Sequence, residues 1–409
     1  MRWLWKTVQL WLFFIVQRNV CYGLQGRLHD GKKGNEMISP NFGDASTDTT
    51  KFVTLCLTHQ CNLRCSYCYE HHKSGSSMSK ELAMDIVRRE LDNDDNLESV
   101  EFDFFGGEPL LQFNTIRYVV ESLLKENHTK SFHFGASTNG TILDESMKEW
   151  LCDHKNIMTL GLSLDGRKES HDMNRSGSFD MIDLGFFASM YPDQPIKMTI
   201  SRETLPSLSD DVIFCHEKGF RVACNLAYGI DWSDAKNMEI IERELRKLIN
   251  YYLNNEIEPC SMLDYNRLIN VLEDSSDFYR TCGAGRTMVA YDVDGSFYPC
   301  QHFLPLCIGE DKAKTSKKLI FKDPIDPSDL PDCCRGCILV NSCPSCYGSN
   351  YELTGDINKP EMDLCKLLKI EYKACAYFVS QLFDQGLLNM DDPATRQIVR
   401  GAIVVAKNL

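Results

Sequence analysis

The sequence has no excess of basic residues. Its 44 lysines and arginines are outnumbered by 58 aspartates and glutamates, which gives a formal net charge of -14 at pH 7. A chain that binds nucleic-acid phosphates or anionic membranes generally needs a basic surface. The composition therefore disfavours both kinds of partner, and we predict no nucleic-acid binding.

The sequence also lacks an uninterrupted apolar run long enough to cross a bilayer. The N-terminal segment MRWLWKTVQLWLFFIVQRNV comes closest, but Lys6 interrupts its apolar core. Arg2 and Lys6 can serve as the charged start of a signal peptide, yet no clear small-residue cleavage site follows. We expect residues 1–50 to be an amphipathic or disordered leader and linker, or to include a start codon placed too far upstream of Met37, with no stable membrane span.

Internal repeats are absent apart from an alternation of strand and helix patterns, and low-complexity tracts are absent too. Six β-rich runs are separated by helical segments such as SKELAMDIVRRELDN. This alternation predicts an α/β fold with a parallel sheet, either an open (β/α)6 barrel or a doubly wound sheet. In both, chemistry lies at the C-terminal ends of the strands. The runs are FVTLCL, SVEFDFF, SFHFGAST, IMTLGLSL, IKMTIS and FRVACNLA.

Cysteine, in contrast, is abundant, with 19 residues. Ten of them lie from Cys282 to Cys375, and three more lie within CNLRCSYCYE, residues 61–70. Disulfides are disfavoured because the chain is long, the count is odd and the clusters have the spacing of metal ligands. We therefore expect a reducing, cytoplasmic compartment.

The three cysteines of the first cluster, Cys61, Cys65 and Cys68, follow the first strand in a C-x3-C-x2-C spacing. A structural zinc site normally closes with four ligands and a disulfide uses two, so a lone triad fits neither. Soft thiolates are the ligands of iron–sulfur clusters, and a cube with one open iron needs three of them. Cys56, inside the first strand, is expected to be a small buried residue rather than a ligand.

Further motifs stand at the ends of later strands. FFGGEPLL ends the second strand, STNG the third and SLDG the fourth, which is followed by HDMNR. With the cysteine triad, these elements occur in order and resemble the radical S-adenosylmethionine (SAM) superfamily over residues 51–235. The resemblance implies a partial (β/α)6 TIM-like barrel.

The resemblance also implies a cofactor pair. In this superfamily three cysteines hold a [4Fe–4S] cluster, whose open iron chelates the amino and carboxylate groups of SAM. An electron from the cluster cleaves the sulfonium, and the resulting 5′-deoxyadenosyl radical abstracts a substrate hydrogen. The cofactor carries the difficult chemistry and the protein aims it. A radical SAM oxidoreductase of this kind also needs a low-potential electron donor of the flavodoxin or ferredoxin type.

SAM contacts at the strand ends follow from the same resemblance. Tyr67 would lie against the adenine, and Leu226, near the end of the sixth strand, is a second adenine contact. The Gly106–Gly107 backbone would approach the methionine end closely, which the lack of a Cβ permits. Asn139 is either a SAM contact or a turn residue that tolerates left-handed backbone geometry. The other predicted contacts are Glu108 and, for the ribose and carboxylate, Ser163, Asp165 and Arg175.

The C-terminal cysteines form a second signature. Cys282, Gly295 and Cys300 match C-x12-G-x4-C, and five ligand-spaced cysteines follow at 334–365. This pattern is similar to the SPASM extension of peptide-modifying radical SAM enzymes, a cysteine-rich domain that carries two auxiliary [4Fe–4S] clusters. By resemblance, Cys282, Cys300 and Cys346 would hold the first auxiliary cluster, and Cys334, Cys337, Cys343 and Cys365 would hold the second.

Two departures from the SPASM pattern leave alternatives open. The motif CPSC has two residues between its cysteines where the family has three, which affects Cys346, and Met288 stands where some relatives have a fourth cysteine. The first auxiliary cluster would then have an open iron, able to bind a substrate thiolate, or would take Cys307 as its fourth ligand. Cys333 can replace Cys334 by a register shift, although only Cys334 gives C-x2-C-x5-C. A zinc ribbon is also an alternative, but its ligand pairs are usually about 15 to 20 residues apart.

The patterns divide the chain into five predicted segments. Helical periodicity dominates from about 235 to 275 and again from about 362, whereas the segment between them is rich in Gly, Pro and Cys. Because such a segment cannot fold on apolar burial alone, we expect metal clusters to hold it together. The segments are a leader and linker (1–50), a radical SAM partial barrel (51–235), a helical bridge (236–280), a SPASM domain (281–375) and a helical tail (376–409).

Two reaction types share this architecture. Anaerobic sulfatase maturases, which oxidise Cys or Ser to formylglycine, carry an Asp base directly after the cysteine of the G-x4-C element. That position is Gln301 here, and an amide cannot accept the proton, which leaves His302 as a substitute. The preferred interpretation is a maturase that forms thioether or carbon–carbon crosslinks in a ribosomally synthesised peptide.

Hypotheses from other classes remain. One is a scaffold or redox sensor without enzymatic activity, against which the intact GGEP motif and the Ser163 and Arg175 pair argue. Another is a radical SAM enzyme that assembles a quinone-type cofactor. The segment before the first strand is too short for a winged-helix precursor-binding domain. We therefore expect the precursor peptide or protein substrate to be recognised by a separate protein, or by the barrel and the cluster domain.

Overall fold

The computed structural model describes residues 49–93, 95–271, 278–279 and 282–409. The predicted leader and linker lies outside the described residues except for its last two positions. Across the described ranges, no helix has the length and apolar character needed to cross a membrane.

All six predicted strands are confirmed. β1 and β2 differ in the pattern of burial along the strand. The second half of β1 is buried without interruption, as in a strand covered on both faces, whereas burial alternates along β2. The strands are β1 (Thr50–Thr58), β2 (Ser99–Gly106), β3 (Ser131–Thr138), β4 (Met158–Leu162), β5 (Ile196–Ile200) and β6 (Val222–Leu226).

Helices connect these strands in the βα rhythm that the sequence predicts. The first begins after Ser79, whose hydroxyl accepts a hydrogen bond from the Leu82 amide at 3.1 Å and so satisfies one free donor at the helix start. The connecting helices are α1 (Lys80–Leu91), α2 (Phe113–Leu123), α3 (Glu145–Asp153), α4 (Lys168–Asn174), α5 (Leu184–Met190) and α6 (Leu208–Glu217).

The six strands follow one another around an open barrel in chain order. β1 to β4 are parallel neighbours in one sheet, and β5 pairs with β6 in parallel. A single bridge from Ser163 to Lys197, with the Leu164 amide 3.1 Å from the Lys197 carbonyl oxygen, continues β4 into β5. A doubly wound sheet would reverse its strand order at a switch point. The partial (β/α)6 barrel is therefore the correct alternative.

Two further strands were not predicted. β7 (Met288–Tyr291) pairs in parallel with β1 on the edge opposite β2, and β8 (Phe297–Tyr298) pairs antiparallel with β7. Strands of four and two residues are too short to show a hydrophobic period, and they lie within the cysteine-rich segment. Through β7, the predicted cluster domain supplies a strand to the sheet of the barrel.

The C-terminal part is helical around the cysteine-rich segment. The helices predicted from about residue 362 are confirmed, and the longest runs through residues 375 and 376 without a break. The five-segment division of the chain stays a prediction. The remaining helices are α7 (Lys236–Leu253), α8 (Pro305–Ile308), α9 (Glu310–Ser316), α10 (Tyr347–Thr354), α11 (Met362–Asp384) and α12 (Pro393–Asn408).

The two glycines at the end of β2 let this strand pass very close to the end of β1. The Gly107 amide donates to the Thr58 carbonyl at 3.0 Å, and the Glu108 amide donates to the Gln60 carbonyl at 2.9 Å. A Cβ on Gly107 would lie 2.4 Å from the Gln60 carbonyl oxygen, and one on Gly106 would lie 2.3 Å from the Thr58 carbonyl oxygen. These glycines are therefore needed for packing within the chain.

Replacing Gly107 with alanine tests this close approach. We expect Gly107→Ala to lower the free energy of unfolding by about 1–3 kcal/mol, because the new methyl group meets backbone that cannot move aside. Gly75→Ala is the matched control, since a Cβ there has no neighbour within 4 Å. Urea unfolding followed by circular dichroism measures both, and equal midpoints for the two variants would contradict the assignment.

Candidate functional site

The cysteine triad lies on the loop that leaves the C-terminal end of β1, as predicted. Cys61, Cys65 and Cys68 are all partly exposed. The loop is tightly turned, with the Cys68 amide donating to the Cys65 carbonyl at 3.2 Å and the Leu63 amide donating to the Cys61 Sγ at 3.4 Å. Burial raises the pKa of each thiol, that of Cys65 to about 11.

Two neighbouring segments clamp the triad loop. On one side, the Arg64 amide donates to the Ser176 hydroxyl at 3.0 Å and the Ser66 amide donates to the Asn174 carbonyl at 2.9 Å. On the other side, the Asn62 Nδ2 donates to the Thr141 hydroxyl at 2.8 Å. Sequence analysis did not single out Asn62, Thr141 or Ser176, because a polar residue beside a motif looks the same whether it is solvated or bonded.

A buried network joins Tyr67, Asp165 and Arg175. The Tyr67 hydroxyl donates to the Asp165 Oδ2 at 2.6 Å, and the Arg175 Nε lies 3.0 Å from the same oxygen. The Arg175 guanidinium also lies over the Tyr67 ring, 5.4 Å from its centroid. The other carboxylate oxygen accepts from the Thr199 amide at 3.0 Å. Asp165 thus positions Tyr67 and Arg175 at the mouth of the barrel.

Burial determines which side chains near this network are charged. Asp165 is 2% exposed and Arg175 is 7% exposed, so each ion depends on the other for compensation. Burial opposes the charged form of Arg175, but Asp165 raises the pKa of Arg175 above its ordinary value. Burial and the nearby Arg175 lower the pKa of His171 to about 4, which keeps that imidazole neutral.

Glu108 and Asn139 meet at the ends of β2 and β3. The Glu108 Oε1 accepts from the Thr138 hydroxyl at 2.8 Å and the Oε2 accepts from the Asn139 amide at 2.8 Å. The Asn139 Nδ2 in turn donates to the Asn62 Oδ1 at 2.9 Å. The left-handed residue of this turn is Gly140, with φ of +73°, rather than Asn139. Glu108 and Asn139 therefore brace the triad loop. That they also contact SAM stays a prediction.

Ser163 and Leu226 stand at the ends of β4 and β6. The Ser163 amide donates to the Thr138 carbonyl at 2.9 Å, and Leu226 is 4% exposed beside Ile200 of β5. The predicted SAM contacts therefore lie on one end of the barrel. Most stand at or just after the C-terminal ends of strands, whereas Tyr67 of the triad loop and Arg175, which follows α4, meet there at Asp165. This is the edge at which parallel barrels carry their chemistry.

The first predicted auxiliary set gathers at the junction of the barrel with the cysteine-rich segment. Cys300 belongs to an apolar cluster against which Cys282 packs, and the Cys346 Sγ lies 3.9 Å from the Nδ1 of His302, two residues after Cys300. Burial raises the pKa of Cys300. Cys307 is fully buried nearby, and its thiol donates to the Gln301 carbonyl at 3.3 Å. Cys307 would lose this hydrogen bond if it bound iron. Its role as the fourth ligand of the first auxiliary cluster stays an alternative.

His302 links this auxiliary set to the triad loop. Its Nδ1 lies 3.9 Å from the Cys346 Sγ and its Nε2 lies 3.2 Å from the Glu352 Oε2. Its ring stacks on Tyr69, the residue after Cys68, with centroids 5.0 Å apart and planes 5° apart. Because both nitrogens have partners, His302 is not oriented as a free base.

The second predicted auxiliary set lies in the cysteine-rich segment and at the start of α11. Burial and the adjacent Cys333 raise the pKa of Cys334, with smaller effects from Cys343 and Cys337, and burial together with Cys365 and Cys337 raises that of Cys343 to about 12. Cys365 lies in the first turn of α11, and the other three lie in the turns before α10. Exposed Cys333 has its Sγ 3.8 Å from that of Cys334, so a register shift between them stays open.

Comparison with known proteins agrees with this arrangement. Residues 55–183 match the model of the Radical SAM superfamily. The chain contains a radical SAM domain. Among curated proteins, 124 residues are 36% identical to a cysteine-type anaerobic sulfatase-maturating enzyme of Clostridium perfringens, an alignment covering 28% of this chain and 32% of the relative. The chain thus matches about a third of the length of that relative.

Longer alignments extend beyond the radical SAM domain. A cysteine-type anaerobic sulfatase-maturating enzyme of Clostridium novyi is 25% identical over 327 residues, 71% of this chain and 86% of the relative. The solved structure of native anSMEcpe with bound AdoMet and the Cp18Cys peptide has a TM-score of 0.62 at 21% identity and covers 88% of this chain and 99% of that chain. Streptococcus suis SuiB bound to precursor peptide SuiA has a TM-score of 0.51 at 15% identity, with 86% of both chains covered. The fold is shared over most of the chain.

The residues present fit the cofactors of a radical SAM domain, a [4Fe–4S] cluster and SAM. The donors of the triad are three thiols on one loop, which suits an iron–sulfur cube. Arg175 places a buried cation near that loop, where it suits the carboxylate of SAM. Cys61, Cys65 and Cys68 would hold the cluster.

Breaking the buried ion pair tests whether Asp165 positions the site. Asp165→Asn leaves Arg175 buried and uncompensated, so we expect the free energy of unfolding to fall by about 3 kcal/mol. Glu203→Gln is the control, because the Arg202–Glu203 pair has side chains 48% and 49% exposed and such pairs contribute little. Urea unfolding midpoints measure both, and a loss no larger than in the control would mean that Arg175 is compensated in another way.

Proposed function

We propose that this chain is a radical SAM enzyme that modifies a peptide or protein substrate. The observation that carries the proposal is that the cysteine triad lies at the same barrel end as the Asp165–Arg175 pair, which contacts Tyr67 of the triad loop. A bound cluster would supply one electron and SAM would supply the hydrogen-abstracting radical. Tyr67, Asp165 and Arg175 would orient SAM, and the strand ends would exclude water.

Auxiliary clusters complete the proposed machinery. Cys282, Cys300 and Cys346 would hold the first auxiliary [4Fe–4S] cluster, close to the triad loop through His302 and Tyr69. The second would be held by Cys334, Cys337, Cys343 and Cys365. Because electrons must enter at low potential, we propose a flavodoxin- or ferredoxin-type donor as a partner.

A peptide is the substrate class that the comparisons support best. Structures of anSMEcpe and of SuiB, which share this fold, have been solved with bound peptides. We propose a ribosomally synthesised peptide precursor as the substrate and a thioether or carbon–carbon crosslink as the product. In the part of the chain that the structure describes, the barrel mouth and the cysteine-rich segment are adjacent. This arrangement suits a substrate that contacts both.

Formylglycine formation is the second candidate, favoured by the long alignment with the Clostridium novyi enzyme. Against it, Gln301 is an amide and cannot serve as a base. His302, the substitute considered from the sequence, has its nitrogens near Cys346 and Glu352. Crosslinking also releases a proton and an electron, but it does not require the base to stand at position 301, and it is therefore preferred.

Cluster content tests the core of the proposal. We expect anaerobically reconstituted chain to hold about twelve irons, falling to about eight in the variant with Cys61, Cys65 and Cys68 all changed to alanine. The variant should also lose production of 5′-deoxyadenosine from SAM and dithionite, because the SAM-binding iron is gone. Iron and sulfide analysis, together with EPR, measures the iron content and the number of clusters. About four irons in the wild type would overturn the SPASM assignment.

His302 offers a test of the first auxiliary set. We expect His302→Phe, which keeps the stacking on Tyr69 but removes the N–H near Cys346, to lower the midpoint potential of one auxiliary cluster on the order of 50 mV, because a hydrogen bond to a cluster thiolate contributes about 1 kcal/mol. EPR-monitored redox titration measures it. His154→Phe is the control, since His154 stacks on Trp150 away from the cysteine sets. Unchanged midpoint potentials in His302→Phe would mean that the contact between His302 and Cys346 does not support Cys346 as a cluster ligand.

A further inference from the structure

A second group of metal-ligating side chains lies beside the site just described. Cys56, His59 and Asp292 each offer one ligand atom, and the three atoms lie within 4.8 Å of one another. All three residues are buried, at 0%, 6% and 5% exposure. None of them belongs to the ten cysteines assigned to clusters.

Strand register explains how the three residues meet. Leu55 of β1 is paired with Tyr291 of β7, so the next residues along the two parallel strands, Cys56 and Asp292, lie side by side. His59 follows one residue after the end of β1. The group therefore depends on the unpredicted pairing of β7 with β1, and Asp292 reaches His59 across 233 positions of sequence.

The orientation of His59 resembles that of a metal ligand. Its Nδ1 lies 3.0 Å from the Ser74 hydroxyl, and its Nε2 lies 2.7 Å from the Asp292 Oδ1. Metal-binding histidines almost always use one ring nitrogen for such an outer contact, which fixes the ring and aims the other nitrogen at the metal. Ser74 would play this part here.

We propose that Cys56, His59 and Asp292 bind a single divalent transition-metal ion of the zinc class. Sulfur, imidazole nitrogen and carboxylate oxygen are the three ligand types that Zn²⁺ accepts. A thiolate and a carboxylate together carry two negative charges, which a divalent cation neutralises in a site too buried to leave them uncompensated. The fourth position would be taken by water or by the Thr58 carbonyl oxygen, which lies 3.8 Å from the Cys56 Sγ.

A hydrogen-bonded group without metal is the competing explanation. In it, the His59 Nε2–H donates to Asp292 and Cys56 keeps its proton. Two ligands of one tetrahedral zinc ion at bond lengths near 2.0 Å are about 3.3 Å apart. Metal binding would therefore displace the Cys56 proton, replace the hydrogen bond between His59 and Asp292, and widen their 2.7 Å contact by about half an ångström.

The ion would fasten the triad loop to the cysteine-rich segment. His59 stands two positions before Cys61, and Asp292 lies in the turn between β7 and β8. A metal bridge between them would hold the start of the triad loop against the strand that the cluster segment supplies. The proposed ion is structural and takes no part in SAM chemistry.

Metal analysis of the iron-loaded chain tests the proposal. After exposure to Zn²⁺ and removal of loosely bound metal with a chelator, we expect about one zinc per chain in the wild type. Cys56→Ala and Asp292→Asn should lose it, whereas Cys215→Ala, which alters a fully buried cysteine far from this group, should retain it. Equal zinc content in all four proteins, or no zinc in the wild type, would overturn the proposal.

Zinc X-ray absorption on the wild type gives a second answer that does not require a variant to fold. We expect the zinc to be coordinated by one sulfur atom, with nitrogen or oxygen at the other positions. Four sulfurs would mean that zinc occupies a cysteine set intended for iron, and would overturn the proposal. Replacing Zn²⁺ with Co²⁺ gives a visible spectrum in which a cobalt–thiolate band should be present in the wild type and absent in Cys56→Ala.

Discussion

β1 is hydrogen-bonded along both edges, to β2 on one side and to β7 on the other. β7 pairs with Phe52–Leu55 and β2 pairs with β1 as far as Thr58, so β1 is held on both edges in its middle and by β2 at its end. The triad loop leaves from that end. The positions of Cys61, Cys65 and Cys68 therefore depend on a sheet built from two distant parts of the chain.

Two carboxylates at the strand ends, Glu108 and Asp165, are buried and bonded to partners from other strand ends. Glu108 receives hydrogen bonds from the end of β3, and Asp165 receives them from the triad loop and from β5. Each such contact must offset the cost of removing a charge from water. The network therefore ties the strand ends together while it prepares a site for a charged cofactor.

A second, smaller apolar core includes Phe303, Leu304 and Leu306 of the cysteine-rich segment, and it also contains Cys56 of β1, Cys300 and Cys307. Burial in this core places cysteines from the barrel and from the cluster segment in one environment. His302 and Tyr69 stack across the same boundary. The barrel and the cysteine-rich segment are thus packed together at this junction.

Local pattern was sufficient for the six strands, their helices, the cysteine triad and the glycines of GGEP, because periodicity and ligand spacing are properties of short segments. It was not sufficient for β7, nor for the partners of Asp165 and Asp292. Tyr67 and Asp165 are 98 positions apart, and His59 and Asp292 are 233 positions apart. Such contacts arise only when the sheet brings distant strand ends to one edge, and no short-range pattern encodes that meeting.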